Sequence, residues 1–163
     1  MWIGDLAINL LDTKSSMDVA LVKLTPDGMS LAQSTYFPVS LTKILSWSNA
    51  LDSVDCVIYL ASQGGFSETI RCRQVPKGNS FVMDHQGTPR EEDYKIKDVL
   101  FTENWITEPG DSGTILCSYP NKSTTIGLCI GEYWGWTLFE PLSRVLKELR
   151  KSIKDIRLWG IAS

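Results

Sequence analysis

From Leu51 onward the apolar residues come in short alternating runs, and each run is closed by a turn signal after about ten residues. Val54 to Ala61 is closed by Gln63-Gly64-Gly65. Ser67 to Val75 is closed by Pro76-Lys77-Gly78-Asn79. Ser80 to Asp84, Ile96 to Phe101, Ser112 to Ser118, Thr124 to Ile130 and Gly135 to Phe139 follow, with a charged loop at Gly87 to Asp93. A period of two is the strand period, so the pattern argues an all-β barrel or sandwich. Upstream, Ser16 to Leu24 carries apolar residues on both faces, which predicts a strand covered on both sides. Thr25-Pro26-Asp27-Gly28 reads as a turn, and Met29 to Asn49 as a connector. The period changes only at the end. Leu142, Val145, Leu146, Leu149, Ile153 and Ile156 share one helical face opposite Lys147, Arg150, Lys151 and Lys154, which predicts a helix over 141–156 with Pro141 at its first position. Two units follow: residues 1–50, holding the 16–24 strand and the connector, and residues 51–163, holding the recurrent strands and the helix.

Composition removes several classes of function. With 16 Lys+Arg against 19 Asp+Glu, the net charge of −3 does not suit a protein that binds nucleic acid through phosphates. No apolar run approaches the roughly 20 residues that span a bilayer, so no membrane partner is expected. Four cysteines without a Cys-x-x-Cys pair, and a single histidine, argue against a zinc site. No metal or cofactor is expected. Met1 to Ala7 lacks a basic leader, and Asp5 and Asp12 flank the apolar stretch, which differs from a secretory signal. An intracellular setting is favoured for the chain as given, and Cys56, Cys72, Cys117 and Cys129 read as buried thiols.

The sharpest local feature is Glu108-Pro109-Gly110-Asp111-Ser112-Gly113-Thr114. Glycines on both sides of Asp-Ser permit a tight turn. Such a turn can aim the N–H groups of Gly110 and Ser112 at one point, as an oxyanion hole does, with the Ser112 hydroxyl exposed beside it. The same residues also make an ordinary loop.

Asp18-Val19-Ala20-Leu21-Val22-Lys23-Leu24, the Gly-Asp-Ser-Gly turn, and Ile126-Gly127-Leu128-Cys129-Ile130-Gly131 followed by Leu138-Phe139-Glu140-Pro141-Leu142 occur in that order. Together they resemble the trypsin-like, chymotrypsin-fold serine peptidases over roughly residues 16–155, and look closest to the compact bacterial, viral and fungal members. The resemblance implies the C-terminal half of a double β-barrel with one terminal amphipathic helix, preceded by a remnant of the first barrel. It implies that Ser112 is the nucleophile, that Asp18 orients a histidine, and that the Gly110 and Ser112 N–H groups form the oxyanion hole. It places Ile106, Thr107 and Glu108 along the primary pocket. Ile130, Gly131 and Glu132 lie where substrate backbone pairs with a strand edge. Ile106 stands where trypsin itself has an acid, so a simple preference for Lys or Arg is not implied. Trp134 and Trp136 either wall this pocket or pack as strand aromatics.

The resemblance also implies a catalytic histidine ahead of Asp18, yet none of the 17 preceding residues is histidine. The base is therefore expected from a missing N-terminal segment or a partner chain. His85, the lone histidine, reads as a loop residue away from the cleft. In the family the aspartate at position 111 turns inward onto a cation, for which Arg71 and Arg73 are the candidates. The alternative is an Asp111 exposed in the turn and bonded to backbone N–H groups. Cys56 and Cys117 fall near a family disulfide, but Cys117 is one residue out of step and no bridge is expected.

Three functions stay open. One is peptide-bond hydrolysis by a serine endopeptidase or a fragment of one, acting on a peptide or protein. Another is a protease-like domain that binds a peptide or protein without catalysis. The third is an unrelated barrel that shares the turn by accident. Exposed apolar surface is expected at Trp2, Ile3, Leu6, Ile8, Leu10 and Leu11, where a missing half would pack.

Overall fold

The computed structural model describes residues 2–10, 17–34, 43–45, 53–74, 80–83, 94–97, 99–102, 106–133 and 135–156. In chain order the strands are β1 (Gly4–Asn9), β2 (Ala20–Leu24), β3 (Lys43–Ile44), β4 (Val54–Leu60), β5 (Gly65–Phe66), β6 (Ile70–Gln74), β7 (Ser80–Met83), β8 (Tyr94–Lys97), β9 (Leu100–Thr102), β10 (Ile115–Ser118), β11 (Thr124–Tyr133) and β12 (Trp136–Pro141). The helices are α1 (Pro26–Ser34) and α2 (Leu142–Leu149).

Six strands form a ring in the order β10-β11-β12-β9-β6-β4, and β4 pairs back onto β10. Leu116 lies opposite Ile58, Cys117 opposite Val57 and Ser118 opposite Cys56, all antiparallel. Closure leaves these six strands no open edge. Alternation along β4 turns Cys56, Ile58 and Leu60 inward, where they meet Cys72, Leu100, Leu116, Ile126, Cys129 and Phe139. Each large apolar side chain taken out of water in this way contributes roughly 1.5–3 kcal/mol. The chain is therefore all-β, with a closed six-stranded barrel and a C-terminal helix.

A second core lies outside the ring. The buried face of α2, Leu142, Val145 and Leu149, packs on Leu10 and Met17, with Ile8, Val19, Leu21, Ile44, Leu128 and Ile156 half-buried around them. It joins the antiparallel β1–β2 hairpin to the barrel.

Several expectations need correction. The strand expected over 16–24 begins only at Ala20, and β2 is largely exposed rather than covered on both faces. Among the described residues its pairing is with β1 alone, so one face meets the second core and the other meets no further layer. Thr25-Pro26-Asp27-Gly28 opens a helix. Thr25 Oγ1 accepts the Gly28 N–H at 3.1 Å, and Thr25 O accepts the Met29 N–H at 2.8 Å. A helix start and a tight turn use the same cap and the same proline, so local chemistry does not separate them. Gly28 is also required by space, because a Cβ there would stand 2.0 Å from Ile3 O.

Leu10, expected on the surface, is 4% exposed in the second core, and Ile8 is half-buried beside it. Trp2, Ile3 and Leu6 are exposed as expected; Leu11 lies outside the described residues. The single strand expected over 96–101 is two: β8 pairs with β7, and β9 enters the barrel. The terminal helix ends at Leu149, and turns carry the chain to Ile156. All four cysteines are buried free thiols.

Candidate active site

The segment from Ile106 to Thr114 leads from the β9 side of the barrel into β10. Two glycines give it its shape. Gly110 has φ +101° and Gly113 φ +86°, in the left-handed region that side chains with a Cβ rarely adopt. Gly113 N–H donates to Cys129 O at 2.7 Å, and Cys129 N–H donates to Thr114 O at 2.9 Å, which ties the turn to β11. Thr114 Oγ1 donates to Asp111 O at 2.7 Å. Among the described residues, the N–H groups of Gly110 and Ser112 donate to no protein acceptor. Two such N–H groups beside an exposed serine hydroxyl are the donors an oxyanion requires.

Asp111 is wholly buried between Gly110 and Ser112. Its Oδ1 accepts the Ser62 N–H at 2.9 Å, and its Oδ2 accepts the Ser62 hydroxyl and the Glu108 N–H, both at 2.9 Å. Burial pushes the Asp111 pKa up. The donors of Ser62 and Glu108, with the Ala61 N–H, outweigh burial and hold it below the usual value. The cation expected from Arg71 or Arg73 is thus replaced by neutral donors. Arg71 lies across the β4–β6 pair, 3.4 Å from Asp55. Asp111 combines both readings of the sequence: it turns inward, and it is held by hydrogen bonds.

Ser112 is exposed on the wall of a cleft of about 230 Å³ lined by Thr107, Glu108, Pro109, Ser112, Gly131 and Glu132. The cleft brings together Ser112, Thr107, Glu108, Gly131 and Glu132 from the expected set. Ile106 packs against the barrel core instead, and neither Ile130 nor Gly110 is among the lining residues. Glu132 Oε1 accepts the Gly135 N–H at 3.2 Å. Asp18 stands exposed at the entry to β2, outside the lining of the cleft. Trp136 stacks on Phe101 with centroids 4.8 Å apart, as a strand aromatic does. His85 and Trp134 lie outside the described residues.

The buried thiols offer no second nucleophile. Burial pushes Cys129 up to about 11, with the Asp111 charge adding to it and a Gly131 backbone hydrogen bond opposing. Burial likewise pushes Cys117 up to about 11, with Cys56 adding and Lys122 opposing. Thiolate chemistry at neutral pH is therefore suppressed at both. Among the described residues, no three His, Cys, Asp or Glu side chains are grouped to hold a metal ion.

Ser62 is the residue that sequence reasoning misses. Ala61-Ser62-Gln63-Gly64 carries a turn signal and nothing that joins it to position 111, because the contact spans two loops far apart in the chain.

No protein-family model and no curated protein matches the chain. Its structure is similar to several solved ones, three of which follow. The 2A protease from human rhinovirus C15 shares 18% identity at a TM-score of 0.43, over 61% of this chain and 65% of that one. The 2A proteinase from human rhinovirus RV-C02 shares 17% at 0.42, over 68% and 66%. The inactive form of a serine-to-alanine mutant of Rv3671c from M. tuberculosis shares 16% at 0.45, over 95% and 68%. The chain thus spans about two thirds of the length of each.

Proposed function

We propose that this chain carries the nucleophile half of a trypsin-like serine endopeptidase site, acting on the carbonyl of a peptide bond. The observation that supports this reading most is the Gly110–Gly113 turn. An exposed Ser112 stands on a cleft, its N–H and that of Gly110 are unengaged among the described residues, and the carboxylate between them is buried and held by three hydrogen bonds at 2.9 Å. Ser112 Oγ attacks the carbonyl carbon and gives its proton to a general base. The developing oxyanion takes hydrogen bonds from the Gly110 and Ser112 N–H groups. The C–N bond then breaks as the base returns the proton to the leaving amine, and water later releases the acyl group. Asp18 has the role of orienting that base, which comes from a preceding segment or a partner chain.

A second reading rests on the lining of the cleft, which among the described residues holds Glu108 and Glu132 but no histidine. Without a base the turn still binds a peptide carbonyl, and the domain acts as a peptide-binding module. A fluorophosphonate probe separates the two. Labelling that is lost in Ser112→Ala supports the assembled serine site, and absence of labelling supports binding alone. Hydrolysis of a peptide ester that His85→Ala abolishes, with circular dichroism unchanged, would replace the external base by His85.

A further inference from the structure

Asp111 is the hinge of the candidate site. Its main chain links the two N–H groups of the proposed oxyanion hole, and its side chain is held in a fully buried position. Whatever holds that carboxylate therefore sets the direction of the Gly110 and Ser112 N–H groups. Three of its donors come from two places. The Glu108 N–H belongs to the turn itself and travels with it. The Ser62 N–H and O–H belong to the loop that closes β4, on a different part of the barrel. Of these three, only the Ser62 pair ties the turn to a fixed external point.

We propose that Ser62 is a positioning residue for the nucleophile turn: by clasping both oxygens of Asp111 with its N–H and O–H, it fixes the main chain that carries the Gly110 and Ser112 N–H groups, with neutral donors in place of a cation. This rests on the serine-site reading above. It adds that the site is assembled by folding alone, with no cationic group needed to pull Asp111 inward. The geometry fits the task. Both contacts are 2.9 Å, one on each carboxylate oxygen. A two-point clasp fixes the rotation of the carboxylate as well as its depth, which a single contact would leave free. Neutral donors to a carboxylate are among the stronger hydrogen bonds. Loop 61–64 is anchored in turn, since the Gln63 and Gly64 N–H groups donate to Leu60 O at 3.0 and 2.8 Å. Ser67 Oγ accepts the Ile58 N–H at 3.0 Å just beyond it. The clasp is thus mounted on the end of β4, which carries barrel-core residues.

Ser62→Ala removes the hydroxyl and keeps the N–H, and Ser62→Thr keeps both. Two measurements on the full chain decide. The first is the rate of fluorophosphonate labelling of Ser112 between pH 4 and 8. The expected result is a loss of about tenfold at pH 7 in Ser62→Ala, a fraction of the 10²–10³-fold seen when an oxyanion donor is removed outright. Ser62→Thr restores the rate. The second is a ¹³C-carboxyl titration of Asp111 by NMR, which needs no catalysis. The Asp111 titration moves up in Ser62→Ala and returns in Ser62→Thr. Labelling of Ser62→Ala at the parent rate would overturn the proposal. So would an Asp111 titration that ignores Ser62. If the parent chain takes no label at all, the serine-site reading fails, while the carboxyl titration still accepts or rejects the clasp. If Ser62→Ala does not fold, Ser62→Cys, which keeps the N–H and the side-chain size with a weaker donor, takes its place in both measurements, with the same outcomes deciding.

Discussion

The barrel and the N-terminal hairpin are both β-structure built with alternating apolar residues, yet they treat those residues in opposite ways. In the barrel, β4 and β10 meet and the ring closes, so Ile58, Leu116 and Phe139 are wholly buried. In the hairpin, β1 and β2 pair only with each other among the described strands, and Trp2, Leu6 and Val22 are 68%, 63% and 43% exposed. Met29 and Leu31 of α1 add to this exposed apolar surface. The sequence pattern decides that a segment is a strand. The presence of a neighbouring layer decides whether its apolar face is buried. Alternation is a local property and burial a property of the closed assembly.

The comparison is best broken at the barrel. Phe139→Ala leaves a cavity in a core that cannot collapse around it, and is expected to cost about 3–5 kcal/mol in urea unfolding. Next comes the link between the barrel and the candidate site. Ser62→Asp sets a second carboxylate against Asp111 at hydrogen-bond distance, so the clasp becomes a repulsion. Labelling of Ser112 by a fluorophosphonate is expected to fall about a hundredfold, more than an alanine would cause. Far-ultraviolet circular dichroism should be unchanged.

The thiols test the barrel through pH. Cys117 and Cys129 are held up at about 11 in the folded chain, against an ordinary value of about 8.5. Their pKa is raised by folding, so their contribution to stability is complete below the ordinary value. It is lost as pH rises toward 11, because in that window only the unfolded chain ionises them. The unfolding free energy from urea titration is expected to fall between pH 8.5 and 11, by on the order of 1–2 kcal/mol per thiol at pH 10. Cys117→Ser with Cys129→Ser should reduce that limb, leaving the part due to Cys72, whose thiol is also pushed up by burial. A smaller effect belongs to α1: Thr25→Ala removes the cap on Gly28 N–H and is expected to cost about 1 kcal/mol. The smallest is in the hairpin. Leu6→Ser is expected to change stability by less than about 0.5 kcal/mol. It should nonetheless lower hydrophobic-dye binding and association in light scattering, because the exposed face is what it alters. A large loss of stability in Leu6→Ser, or a small one in Phe139→Ala, would erase the contrast between the two regions.

The barrel is largely legible in the sequence because its strands are short, alternating and bounded by glycine and proline, and these signals are local. The nucleophile turn is legible for the same reason: Gly110 and Gly113 mark backbone that most residues avoid. What is not legible depends on contacts between distant segments. Leu10 is buried only because α2 lies across it. Tyr94 to Thr102 splits because β8 finds β7 while β9 finds β6 and β12. The apolar residues between Gly4 and Asn9 are too few to announce β1 without the partner that β2 supplies. The need of Asp111 for partners can be read from the chain, but their identity cannot. Arginine is the natural candidate and a serine far upstream is the partner, since a neutral donor leaves no charge signal in the sequence.

Closure of the ring also sets an order of events. Cys56 must wait for Ser118, and β9 must wait for β12, before the ring can close. Pairings this remote in the chain are slow to form, because a long loop is closed before the contact rewards it. The β1–β2 hairpin has no such delay, as Gly4 and Leu24 can pair as soon as both exist. Of these two regions, the one with the bare apolar face is therefore complete first. The helix that covers its other face, α2, is made much later. Until Leu142 to Leu149 arrive, the hairpin exposes both faces, and its exposure to aggregation is set by how long the ribosome takes to reach them.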